Sequence, residues 1–168
     1  MKRYYLLISL SLLTSLFIYI FYRTEHTVIN ILLHKLSEGS MHQLRIGLRT
    51  HLKLPASVVF SLPEGLWVFA ATLTSKHLYC MVYKKRIHLS SLPMIYAVLL
   101  ECLQLLHIMP GRFDVLDLFF SLCLGLWALW KIECPLPPQY LFYRFNYRTL
   151  TVVYIYAIVF LSHVSRIQ

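Results

Sequence analysis

The stretch Glu101-Cys-Leu-Gln104-Leu-Leu-His107-Ile-Met-Pro110-Gly111-Arg112-Phe-Asp114-Val-Leu-Asp117 joins two of the most apolar segments of the chain and carries three of its seven acidic residues. Pro110-Gly111 predicts a tight turn, so the flanking segments should fold into an antiparallel helical hairpin with Arg112 at its apex. Glu101 and Gln104, three apart, share one face of the first helix. On the second, Asp114, Asp117, Ser121, Gly125 and Ala128 form a stripe of polar and small residues, which suits a helix–helix seam better than a lipid-facing surface. The two polar faces are predicted to meet at the closed end of the hairpin.

Composition says what surrounds this hairpin. Hydrophobic residues make up 58% of the 168-residue chain and charged residues only 14%, with a mean hydropathy of +0.63. Soluble domains carry about 25% charged residues. The expected fold is an all-α, polytopic transmembrane helical bundle of about five spans, filling residues 1–168 as a single membrane domain. Spans are predicted at about 4–22, 63–83, 87–109, 113–132 and 149–164. The first reads as an uncleaved helix: its apolar run exceeds a signal-peptide core, and Tyr22-Arg23-Thr24-Glu25 offers no small-residue cleavage site. Between spans one and two, Val28, Ile29, Ile31, Leu32, Leu33 and Leu36 give a short apolar face. After Gly39-Ser40, Leu44, Leu48 and Leu52 recur every four residues beside Arg45, Arg49 and Lys53. That pattern fits an interfacial amphipathic segment, and equally a solvated connector.

The second span has two registers. Residues 54–74 would bury Pro63 and Glu64 near the centre. A helix over 63–83 instead puts Glu64 at an N-terminus, where the dipole favours an anion and Ser61-Leu62-Pro63-Glu64 has capping-box spacing. The later register is preferred, with Lys76 snorkelling towards the headgroups. Nine lysines and arginines then lie on the side of the N-terminus and seven on the other, which orients the N-terminus inside and the 110–112 turn outside.

Candidate site residues follow from charge. Glu64, Glu101, Asp114 and Asp117 outnumber Arg112, so unless other cations come in, some carboxylate must be protonated, bind a metal, or meet a cationic or hydrogen-bond-donating ligand. Glu101, Asp114 and Asp117 are the candidate acid–base groups. Arg112, Gln104, Glu64 and Trp67 are candidate ligand contacts. The competing reading is a structural network in which Arg112 pairs with Asp114 or Asp117 and Gln104 donates to a carboxylate. His107 is read as interfacial packing ahead of a proton-shuttle role, and Trp67, Trp127 and Trp130 as aromatic-belt anchors. Cys80, Cys102, Cys123 and Cys134 show no metal-binding or disulfide spacing, and no P-loop, HExxH or serine-histidine-acid order occurs. No cofactor is therefore expected and no metal ligand is assigned. The net charge of +9 is scattered between apolar segments, which points to anionic lipids as partners and away from nucleic acid.

Glu101-x-x-Gln104 followed by Pro110-Gly111-Arg112-Phe-Asp114-x-x-Asp117-x-x-x-Ser121-x-x-x-Gly125 resembles the signature of the VanZ-like family of small integral membrane proteins. Leu62-Pro63-Glu64-x-Leu66-Trp67 is similar to an upstream leucine-proline-acidic-x-x-tryptophan element of part of that family. Ser121 stands where the family typically carries asparagine. The resemblance covers about 35 residues. It implies a protein of the bacterial cytoplasmic membrane, and a cell-envelope factor that binds or modifies a lipid or a lipid-linked envelope precursor. The family's founding association is with glycopeptide antibiotic resistance. A non-catalytic scaffold or accessory subunit beside other membrane proteins, and a small proton-coupled transporter, are the alternatives; the transporter is weakened by the lack of an internal repeat.

Overall fold

A computed structural model describes residues 1–22, 40–109, 111–141 and 147–164, the side chains of 40–42, 147–148 and 158–164 excepted. The apolar face expected over residues 28–36 lies outside them. The chain is mostly helical. Helix α1 spans Lys2–Tyr22, α2 Ser40–His51, α3 Ala56–Phe60 and α4 Leu62–Ser75. Strands β1 (Leu78–Val82) and β2 (Lys85–His88) lead through a 3₁₀ turn at Leu89–Ser91 into α5 (Leu92–Leu105). Helix α6 (Val115–Lys131), β3 (Gln139–Tyr140) and α7 (Tyr147–Val164) complete it.

Helix α4 is the axis of the fold. Trp67 through Ser75 are buried without a break, so this helix meets neighbours on every side. Helix α1 packs antiparallel to it, with Ser15 Oγ donating to Pro63 O at 3.0 Å at one end and the Tyr4 hydroxyl to Leu73 O at the other. Phe69, Ala70 and Leu73 fill the core with Tyr4, Ile8 and Ala128; Trp67, Val68 and Ala71 fill it with Ala97 and Ile155. Helix α6 runs parallel to α4 in close contact. A Cβ on Gly65 would stand 2.9 Å from the backbone C and O of Phe120.

The expectation of an all-α chain is corrected by a small sheet of order β2-β1-β3. β1 pairs antiparallel with β2, Val82 opposite Lys85, and parallel with β3, Leu78 opposite Gln139. The second helix therefore stops at Ser75, eight residues short of the predicted 83, and the third starts at Leu92 where 87 was expected. Tyr83 and Lys84 form the two-residue hairpin turn, both at positive φ (47° and 63°). Such turns usually carry asparagine and glycine, so this one has no turn signal in its sequence. A short apolar strand is likewise indistinguishable from buried helix by periodicity alone.

Two more local expectations change. The capping box at Ser61 does not form: Ser61 is itself helical (φ −100°, ψ −34°), its N–H bonds Ser57 O, and its side chain makes no cap. Helices α3 and α4 thus run on from one another, and the 54–74 register accounts for residues 56–62 better than the 63–83 one does. Helix α5 ends at Leu105, not at 109. His107 N–H bonds Gln104 O and Ile108 N–H bonds Leu103 O (both 3.0 Å), with His107 left-handed at φ 56°. This is a Schellman cap with histidine in the glycine position.

Lys76 does not snorkel. Its Nζ donates to Ala128 O (3.0 Å), Leu129 O (2.7 Å) and Ile132 O, the unsatisfied carbonyls at the end of α6. Arg49 of α2 does the same for α1, donating to Phe21 O (2.9 Å) and Tyr22 O (3.3 Å). Each cation sits at the negative end of a helix dipole.

Two helices are long and apolar enough to cross a membrane, Lys2–Tyr22 and the run Ala56–Ser75. A signal sequence and a soluble core helix also meet that description. The outer surface adds a second fact. Leu6, Leu10 and Leu13 on α1, Ile95 and Leu99 on α5, Phe119 and Trp130 on α6, and Leu150 and Val153 on α7 are exposed, while Thr72, Thr74, Ser75, Glu101 and Ser121 are buried.

Candidate functional site

Three helices bring a carboxylate to one end of the bundle. Glu64 lies in the first turn of α4, Asp117 in the first turn of α6, and Glu101 one turn before the end of the antiparallel α5. One carboxylate oxygen from each lies within 4.8 Å of the other two. The N-terminus of α6 points its partial positive end into this corner, which favours negative charge there. Glu101 is only 3% exposed; Glu64 and Asp117 are half-buried.

The turn is built to hold this arrangement. Asp114 is the N-cap of α6, its Oδ1 accepting from Leu116 N–H at 2.9 Å. Its own N–H donates to Glu101 Oε2 at 3.0 Å, which fastens the carboxylate of one helix to the start of the next. Gly111 has φ +139°, and a Cβ there would stand 2.5 Å from Gln104 Nε2, so the Gln104 side chain lies directly on the glycine. Gln104 could swing aside, but a residue with a Cβ would be strained at that φ, so the position suits glycine.

Of the expected site residues, Glu64, Glu101 and Asp117 converge. Asp114 stands beside them with its carboxylate engaged in the cap. Gln104 packs on the turn. Arg112 is exposed and forms no ion pair among the described residues, so the pairing of Arg112 with Asp114 or Asp117 is not how the turn is held. Trp67 is buried in the bundle, edge-on to Tyr96 (5.9 Å between centroids) and Tyr156 (6.2 Å), which corrects its reading as a belt anchor. Trp127 and Trp130 remain exposed on α6. His107 is exposed and serves as the α5 cap.

The sequence reading gives Ser61 a capping role, Trp67 a ligand contact or belt position and Ser121 a place in the polar stripe, and expects a buried, unpartnered polar atom at none of them. Ser61 Oγ, Trp67 Nε1 and Ser121 Oγ are buried and without a hydrogen-bond partner among the described residues. Each is one helical turn from Glu64 or Asp117, and that proximity was available from spacing alone.

Two ionised carboxylates about 4.8 Å apart repel by roughly 3 kcal/mol at an effective dielectric constant near 20. Three ionised carboxylates in one corner are therefore stabilised by a shared proton, by a cation from the chain or from solution, or by a donor-rich ligand. The site can accept a proton from a substrate or hold a positive charge. Comparison with known proteins adds no relative: no family profile, no curated protein and no solved structure matches the chain.

Proposed function

We propose that the chain is an integral membrane protein of about five spans, VanZ-like in type, in the bacterial cytoplasmic membrane with its N-terminus inside. The apolar residues turned outward on α1, α5, α6 and α7 support this, because a water-soluble surface would hold them against a core. Helix α6, with 17 residues, is about 26 Å long and close to the hydrocarbon thickness. The exposed Lys84-Lys85-Arg86 hairpin lies at the opposite end from the carboxylates and suits an anionic cytoplasmic leaflet.

On this reading the acidic corner is an extracytoplasmic pocket that binds or modifies a lipid or lipid-linked envelope component. The convergence of Glu64, Glu101 and Asp117 from three helices is the observation that carries it. Glu101, held by Asp114 N–H, acts as the acid–base group, and exposed Arg112 pairs with the phosphate of the lipid. Native mass spectrometry of the detergent-purified chain tests it. A phosphorylated lipid should co-purify and be lost on Arg112→Gln. Its absence from the wild type, or its retention in the variant, would defeat the pocket. The scaffold reading has one observation in its favour, the Asp114 cap tied to Glu101, which fixes the hairpin whether or not anything binds.

A further inference from the structure

Ser121 is fully buried, and its hydroxyl finds no hydrogen-bond partner among the described residues. A buried serine ordinarily donates to the carbonyl one turn back or to a neighbour, so such an orphan asks for a group that the described residues do not provide. Its position says which group. Ser121 lies one turn after Asp117 on the same face of α6. Side chains on a helix lean towards its N-terminus, so the Ser121 hydroxyl leans into the turn that holds the Asp117 carboxylate. The flanking contacts close the seam around it. Gly65 abuts Phe120 on one side, and a Cβ on Gly125 would meet Val68 Cγ1 at 3.2 Å on the other. The α4 segment opposite Ser121 therefore begins at Glu64.

We propose that Glu64, Glu101 and Asp117, with the Ser121 hydroxyl beneath them, hold a hard divalent cation. The donors are all oxygens, the set that selects calcium, magnesium or manganese over zinc or copper. Opposite ligands around calcium stand about 4.6–5.2 Å apart, and around magnesium about 4.0–4.2 Å. Three carboxylate oxygens all within 4.8 Å of one another leave a central ion at most about 2.8 Å from each, so the corner needs only a small closure to ligate calcium and a larger one for magnesium. A dication offsets the mutual repulsion of the three carboxylates, and its lone-pair demand suits the orphaned serine oxygen. Asp114 N–H, already on Glu101 Oε2, orients that carboxylate and leaves Oε1 for the ion. Coordination positions facing the mouth are then open to a phosphate oxygen. That last use rests on the lipid function proposed above; the ion site stands on its own geometry.

The test uses the full-length chain in lipid-free detergent micelles after chelator treatment. Manganese(II) is titrated while the free-ion signal is followed by electron paramagnetic resonance, with calcium and magnesium as competitors. One saturable site per chain is expected, weakened at least tenfold by Asp117→Asn and several-fold by Ser121→Ala, and unchanged by Glu133→Gln. Ser121→Ala only shortens a side chain, so its melting temperature without ion should match that of the wild type, and it serves if Asp117→Asn does not fold. Wild-type protein with no saturable site, or a site that both Asp117→Asn and Ser121→Ala leave intact, overturns the proposal. The lipid reading fails separately. A chain that binds manganese yet carries no phosphorylated lipid sinks the pocket alone, and one that keeps its lipid in chelator with no manganese site sinks the ion alone.

Discussion

Replacing Gly65 by alanine should damage this protein more than replacing Gly125, although both glycines sit in the same helix seam. A Cβ at Gly65 would meet the backbone C and O of Phe120 at 2.9 Å and Leu124 Cδ1 at 3.0 Å. Ordinary contact begins at about 3.5 Å, so α4 and α6 must part by about half an ångström. Backbone cannot rotate out of the way. At Gly125 the nearest atoms are Met94 Cγ and Sδ, at 2.5 and 2.6 Å, and a methionine side chain can move to another rotamer. Overpacking a seam costs about 1–3 kcal/mol, while alanine in a helix interior returns roughly 1 kcal/mol of propensity. Against unyielding backbone the overpacking falls in the upper part of that range, so the expected net for Gly65→Ala is a loss of about 1–2 kcal/mol, or roughly 2–8 °C in melting temperature for a chain of this size. Gly125→Ala should fall within about 1 kcal/mol of the wild type on the same reckoning. Thermal unfolding in detergent, followed by tryptophan fluorescence, reads both. Gly65→Ala as stable as the wild type, or Gly125→Ala the worse of the two, would refute the close approach of α4 to α6. Because Gly65 adjoins Glu64, the variant should also weaken manganese binding, which Gly125→Ala should spare.

Lys76→Met removes three bonds to the carbonyls ending α6 and should cost about 2 kcal/mol in detergent unfolding, with Lys76→Arg recovering part of it. His107→Gly should raise stability by about 1 kcal/mol, because glycine adopts the left-handed cap without the cost that histidine carries; an unchanged or lowered midpoint argues against the Schellman cap. Glu101→Gln keeps an acceptor for Asp114 N–H and removes one charge from the acidic corner. The variant should melt no lower than the wild type without added ion, yet lose the manganese site and show the same functional defect as a deletion; a defect that merely follows protein level would favour the scaffold.

The hairpin and the polar faces that meet at it were legible because Pro110-Gly111, the Glu101/Gln104 pair and the Asp117-to-Ala128 stripe are local patterns with one physical meaning each. Glu64 was legible through Pro63, which favours a helix start there. The sheet was not. The apolar composition runs from 54 to 83 past the helix end at Ser75, where Lys76 reaches carbonyls fifty residues away and the strands begin. The left-handed turns at Tyr83-Lys84 and His107 use residues whose types do not announce them. Trp67 was misplaced because a tryptophan near a span end also fits the interface, and only the flanking Tyr96 and Tyr156 show it to be interior.

The enclosure of α4 bears on how such a chain could be made. In order of synthesis, α4 follows α1 but precedes α5, α6 and α7, so on the membrane reading proposed above it must wait in the bilayer with most of its surroundings still unmade. Thr74 is equipped for the wait: its Oγ1 donates to Ala70 O and Ala71 O, both 3.0 Å away in its own helix, and needs no later partner. Thr72 and Ser121 have no such internal bond to fall back on. Lys76 is the more awkward passenger, since the carbonyls that receive it are translated more than fifty residues later. Until α6 arrives, that charge must stay at the aqueous edge, which holds the end of α4 on the side from which it entered.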